Sequence, residues 1–155
     1  MSAPVLSAIA AACAAVLAGL NLFVTGRREQ TKWSREVLVD TLAEFLTASY
    51  RCKDECKQAA AMKRAGLSDD DLKSHLDAAS AVYDEQKDAL TRLRLLAPPS
   101  VVKAANAVRY RNKDYLTFAT EGLNGDIEQD RKLRCGLGAA REEALQAARR
   151  FLKIP

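Results

Sequence analysis

From Pro4 to Thr25 the chain carries no charged side chain, and nothing else in it restricts the fold as strongly. A helix needs about 20 apolar residues to cross the hydrocarbon core of a bilayer, and this run has about 22, so its length reads as a membrane span. A cleaved secretory signal would place a basic stretch before a shorter apolar core of about 7–15 residues. Only Met1, Ser2 and Ala3 precede this run. A buried helix of a soluble assembly is the third reading, because alanine dominates the segment and is only weakly hydrophobic. Arg27, Arg28, Lys32 and Arg35 follow at once and no basic residue precedes. The positive-inside rule then holds the C-terminal side in the cytoplasm and turns the N-terminus outward. The expected location is the cell membrane, with a single pass over residues 1–26 and a cytoplasmic domain over 27–155.

At 100° per residue Ser7, Ala11, Ala15 and Gly19 step along one side of that helix, while Ile9, Val16, Leu17, Leu20 and Phe23 gather on the other. A small-xxx-small ridge lets two backbones approach closely in lipid, which makes a homo-oligomer through this ridge an expectation. The basic cluster could also meet anionic lipid, although Glu29 and Glu36 dilute it.

The remainder, about 130 residues, is long enough to bury a core without metals or disulfides. A net charge of +4, with 28% charged and 48% hydrophobic residues, is an ordinary globular composition. The four cysteines, at 13, 52, 56 and 135, are unevenly spread and do not read as a disulfide scaffold.

Past Arg28 the apolar pattern is helical throughout, with no strand-like alternation. Leu38, Leu42, Phe45, Ser49, Cys52, Cys56 and Ala59 alternate steps of four and three, and Gly66 offers a stop. Ser68 and the aspartates 69–71 suit the start of a second helix. Its stripe is Leu72, Leu76, Ala79, Tyr83, Gln86, Leu90, Leu93 and Ala97, ended by Pro98 and Pro99. Residues 27–65 are basic in excess and 69–97 acidic in excess, which favours antiparallel pairing. A third helix, capped by Ser100, carries Val101, Ala105, Val108, Asn112, Tyr115 and Ala119. After a turn at Asn124, Gly125 and Asp126 comes a fourth with Leu133, Leu137, Ala140, Ala144, Ala148 and Phe151, where Gly136 and Gly138 suggest a kink or close packing. The expected fold is all-α: an N-terminal transmembrane helix, then an antiparallel helical bundle or a long helical hairpin with two further helices.

No reaction emerges from the residue types. Cys52 and Cys56 share a helix face, and His75 and Cys135 would complete a zinc site, but two cysteines on an apolar stripe read better as small core residues. His75 is the only histidine and has no spaced nucleophile. The segment "VRYRNKDY", residues 108–115, interleaves basic and aromatic side chains, yet Arg109 and Arg111 point in nearly opposite directions on a helix, which argues against a nucleic-acid surface. Asp69, Asp70 and Asp71 fan outward from a helix start and need no cation. No phosphate-binding glycine loop or metalloprotease motif is present. No cofactor, metal or enzymatic activity is expected.

With the span, its basic edge, Trp33 and Arg35 and the Glu44, Phe45, Leu46 triplet in view, the first third of the chain resembles small single-pass, helix-rich membrane proteins of actinobacteria and their phages. That resemblance implies the architecture and no site residues. The expected function is a membrane-anchored interaction or scaffolding module for an unidentified protein partner. Its rival is a membrane-active effector, holin-like or an exclusion protein, working through oligomerisation of the span.

Overall fold

The alternating four-and-three steps keep one face of each helix apolar, and the computed structural model forms helices over all four such stretches. It describes the backbone of residues 3–67, 69–121 and 126–154, and the side chains of 32–67, 70–121 and 126–154. Helix α1 runs Ala3–Ala65, α2 Asp69–Leu96, α3 Pro99–Glu121 and α4 Ile127–Leu152, with no strand among the described residues. The chain divides into two compact units, Met1–Val37 and Leu38–Pro155. The core lies in the second.

Within that unit the cross-helix bonds set the directions. Arg51 meets Glu85 and Arg92 meets Glu44, so α2 returns antiparallel to α1. Gln86 meets Asn112 and Arg94 meets Asn106, so α3 runs antiparallel to α2. Arg141 reaches Ser49 and Arg64 reaches Asp130, which closes α4 antiparallel against α1. The result is an up-down-up-down four-helix bundle.

Every stripe residue of α1 from Leu38 to Ala59 is buried, and so are all six of α3. Full burial of side chains such as Phe45, Leu38, Leu93 and Leu137 contributes about 1.5–3 kcal/mol each. Alanines 59, 79, 105, 119, 140, 144 and 148 fill the other core positions, and such small contacts place helix axes at the short end of the usual 8–10 Å. On α4 the stripe fails at its end: Phe151 is 44% exposed, because it lies in the last turn, where the facing helices have run out of core.

The helix ends follow local chemistry. Gly66 takes a left-handed conformation at φ 65°, with its N–H donating to Lys63 O and that of Leu67 to Met62 O. This paired closure satisfies carbonyls the helix leaves open. Ser68 lies outside the described residues. Pro98, rather than Ser100, precedes α3, its carbonyl accepting from Val101 and Val102. Pro99 begins the helix because its fixed φ suits the first turn and its missing N–H would have had no partner there. Asp126 Oδ1 accepts from the N–H groups of Glu128 and Gln129 at 2.9 and 3.2 Å and starts α4.

Gly136 and Gly138 mark neither a kink nor a close approach. Helix α4 runs through both, and a Cβ built on either would meet nothing within 4 Å. Each therefore weakens the helix by about 1 kcal/mol relative to alanine without a packing return. Replacing both with alanine is expected to stabilise the bundle by about 1–2 kcal/mol. The measurement is thermal unfolding of the full chain followed by circular dichroism, where an unchanged or lowered midpoint refutes this account.

Candidate functional site

Polar side chains occupy the core at one level, one from each helix. Ser49 Oγ accepts from Asn112 Nδ2 at 2.9 Å and from Arg141 Nε at 2.8 Å. Arg141 Nη2 donates to the Ser49 carbonyl at 2.5 Å, and Asn112 Nδ2 also donates to Gln86 Oε1 at 3.0 Å. Ser49, Gln86 and Asn112 are fully buried and Arg141 nearly so. The Arg141 guanidinium also lies 4.0 Å from the centroid of the Tyr50 ring, a cation–π contact that offsets part of its desolvation. Burial lowers the Arg141 pKa below its usual value. Gln86 Nε2 and Asn112 Oδ1 have no hydrogen-bond partner among the described residues.

One turn on, the Cys52 and Cys56 thiols are both inaccessible. Their mutual hydrogen bond holds the Cys52 pKa down, assisted by the Arg141 charge, and pushes that of Cys56 up, with burial acting in the same direction. Burial withholds this pair from solution chemistry, and Cys52 and Cys56 serve as core residues. A second buried cluster centres on Asp130, which is 2% exposed. Its carboxylate accepts from Tyr115 Oη at 2.7 Å and pairs with Arg134 at 3.2 Å and Arg64 at 3.6 Å. Burial, and then the hydrogen bond to Asp130, raise the Tyr115 pKa well above the ordinary phenol range.

On the outside, a groove of about 770 Å³ follows the seam between α1 and α2. Ala43, Thr47, Ala48 and Ala89 leave it open. Its rims carry Asp40, Glu44, Glu85 and Asp88 against Arg51 and Arg92. Arg51 pairs with Glu85 at 2.9 Å and Arg92 with Glu44. Asp40 and Asp88 form no ion pair among the described residues, so the groove is negative.

The expected ridge of Ser7, Ala11, Ala15 and Gly19 lies outside the described side chains, as do Arg27 and Arg28. Lys32 is exposed and pairs weakly with Glu36 at 3.9 Å, and Arg35 is exposed. Among the described residues no helix is long and apolar enough to cross a membrane; the span expected over 4–25 lies outside those whose side chains are described. The candidate zinc ligands are dispersed: His75 Nδ1 sits 2.6 Å from Glu55 Oε2, while Cys135 is exposed on α4. Among the described residues no three His, Cys, Asp or Glu side chains group to hold a metal ion. In "VRYRNKDY" Arg109 stacks 4.0 Å from the Tyr83 ring centroid and donates to its hydroxyl at 3.0 Å. Arg111 pairs with Asp114 at 3.7 Å, and Asn112 and Tyr115 turn inward. Sequence reasoning missed the burial of Arg141 and Asp130. The available signal was Ser49, Gln86 and Asn112, three polar residues on otherwise apolar stripes.

Tyr115→Phe removes the neutral donor from a buried carboxylate and is expected to cost about 1.5–3 kcal/mol, the usual range for a hydrogen bond to a charged group. Urea unfolding measures it, and a cost near zero would show that Arg64 and Arg134 alone satisfy Asp130. No family model, curated protein or solved structure matches the chain.

Proposed function

We propose that the chain is a membrane-anchored interaction module: residues 4–25 hold it in the bilayer and the α1–α2 groove of its bundle receives a basic segment of a partner protein. The observation that carries the docking half is the groove's charge. Four carboxylates face two guanidiniums there, and two of the carboxylates, Asp40 and Asp88, have no ion-pair partner among the described residues. A lysine- or arginine-bearing helix or strand supplies the missing charge, and the small side chains between the rims leave room for its backbone. Anchoring then raises the local concentration of the module for partners at the membrane. The uncharged run, its basic C-terminal edge and the resemblance to single-pass actinobacterial and phage proteins support the anchor, with the N-terminus outside and the bundle in the cytoplasm.

Exposed charge contacts contribute about 0.2–1 kcal/mol each. Asp40→Asn with Asp88→Asn is therefore expected to weaken binding of a fluorescent oligolysine peptide to the full chain about tenfold at low salt. Unchanged anisotropy titrations would remove the groove from the account.

The effector reading rests on a different observation, the small residues Ser7, Ala11, Ala15 and Gly19 at helical spacing. Ala11→Leu with Ala15→Leu obstructs that ridge. The module reading expects the double variant to fractionate with membranes, to present an added N-terminal cysteine to an impermeant reagent outside the cell, and to bind oligolysine as before. Loss of the chain's cellular effect with oligolysine binding intact favours the effector.

A further inference from the structure

We infer that the end of the bundle at which α4 terminates rests on an anionic lipid surface, an inference that depends on the membrane anchoring proposed above. Helices α1 and α4 run antiparallel, with Ser49 opposite Arg141 and Arg64 opposite Asp130, so the last turn of α4 lies at the level where α1 enters the bundle at Leu38. Phe151 and Ile154 are exposed there at 44% and 51%. Val39, 44% exposed, stands about three turns before Tyr50 on the same side of α1. Tyr50 lies under the Arg141 guanidinium, so that side of α1 is the one that faces α4.

Arg149, Arg150 and Lys153 accompany these apolar side chains, all exposed and without an acidic partner among the described residues. The helix dipole favours basic residues in a last turn and accounts for some of that charge. It does not account for the apolar groups beside them. Basic heads around a few apolar side chains match the chemistry of an interfacial surface, where lysine and arginine meet phosphates and the apolar groups enter the acyl boundary. The opposite end of α4 is mixed, with Asp126, Glu128 and the buried Asp130 alongside Arg131, Lys132 and Arg134.

Two probes on the same helix test this in the full chain. Cys13→Ser and Cys135→Ser leave only the buried Cys52 and Cys56, and Ile154→Cys or Ile127→Cys then carries an environment-sensitive fluorophore. The chain is reconstituted in vesicles of equal parts phosphatidylcholine and phosphatidylglycerol, with a doxyl-lipid quencher. Quenching at position 154 and not at 127 is expected. Each basic group near an anionic surface is worth about fivefold in occupancy, so Arg149→Gln, Arg150→Gln and Lys153→Gln together reduce the seated population on the order of 100-fold and abolish the quenching. A chain that floats with the vesicles but is not quenched at 154 overturns the inference and leaves the anchor standing. Shielding of 154 from aqueous iodide without lipid quenching assigns this end to a second copy of the chain and likewise overturns it. A chain that fails to float overturns the anchor and the inference together.

Discussion

The bond from Arg141 to Ser49 is the contact on which the register of the bundle depends. It brings a guanidinium from the last helix onto both the hydroxyl and the carbonyl of a residue in the first, and Asn112 and Gln86 join it from the other two. The hydrogen-bonded partners of Arg141 include no carboxylate, so its desolvation is offset by neutral acceptors, the Tyr50 ring and the more distant charge of Asp54. Such a layer is a weak source of net stability. Its contribution is discrimination: alanine-rich stripes could slide by a turn and still bury apolar surface, whereas a slide here would strand a buried cation and two amides away from their partners.

Much of this fold was legible in the sequence because helical periodicity is a local signal. The stripes on α1 and α3 coincide with buried positions without exception from Leu38 to Ala59 and from Val101 to Ala119. Where the reading failed, the deciding physics was not local. Ser100 looks like a cap by composition, but Pro99 is already suited to the first turn. Gly136 and Gly138 look like close-packing sites, but what faces them is open space. Phe151 keeps the period in the last turn of α4, beyond the buried core. Arg141 and Asp130 fall where charge ordinarily meets water, and only partners from distant helices make their burial tolerable. The groove was illegible for the same reason, since Asp40 and Asp88 become neighbours only when α2 folds back.

The bundle separates its chemistry by location. Charge without a partner lies outside, on the α1–α2 rims and at the end of α4, while the buried ionisable groups are engaged with one another or with backbone. The thiols of Cys52 and Cys56 belong to the second set: enclosed by helices, they take part in packing and electrostatics rather than in reactivity. A module of this kind offers recognition by surface charge and rigidity by an internal polar layer, and the two can vary independently.

The Ser49–Arg141 contact spans 92 positions in sequence, which sets an order of events during synthesis. When α1 leaves the ribosome, Ser49 has no bundle partner; Asn112 of α3 supplies the first and Arg141 of α4 completes the set. Helices α1 to α3 can collapse on one another before that point, with Asn112 joining Ser49 and Gln86, but the buried guanidinium that most strongly penalises slippage is still missing. The bundle therefore closes only once α4 has emerged. A nascent chain truncated before α4 presents, in place of a smaller bundle, three helices with an exposed apolar face, the kind of surface that chaperones and proteases recognise.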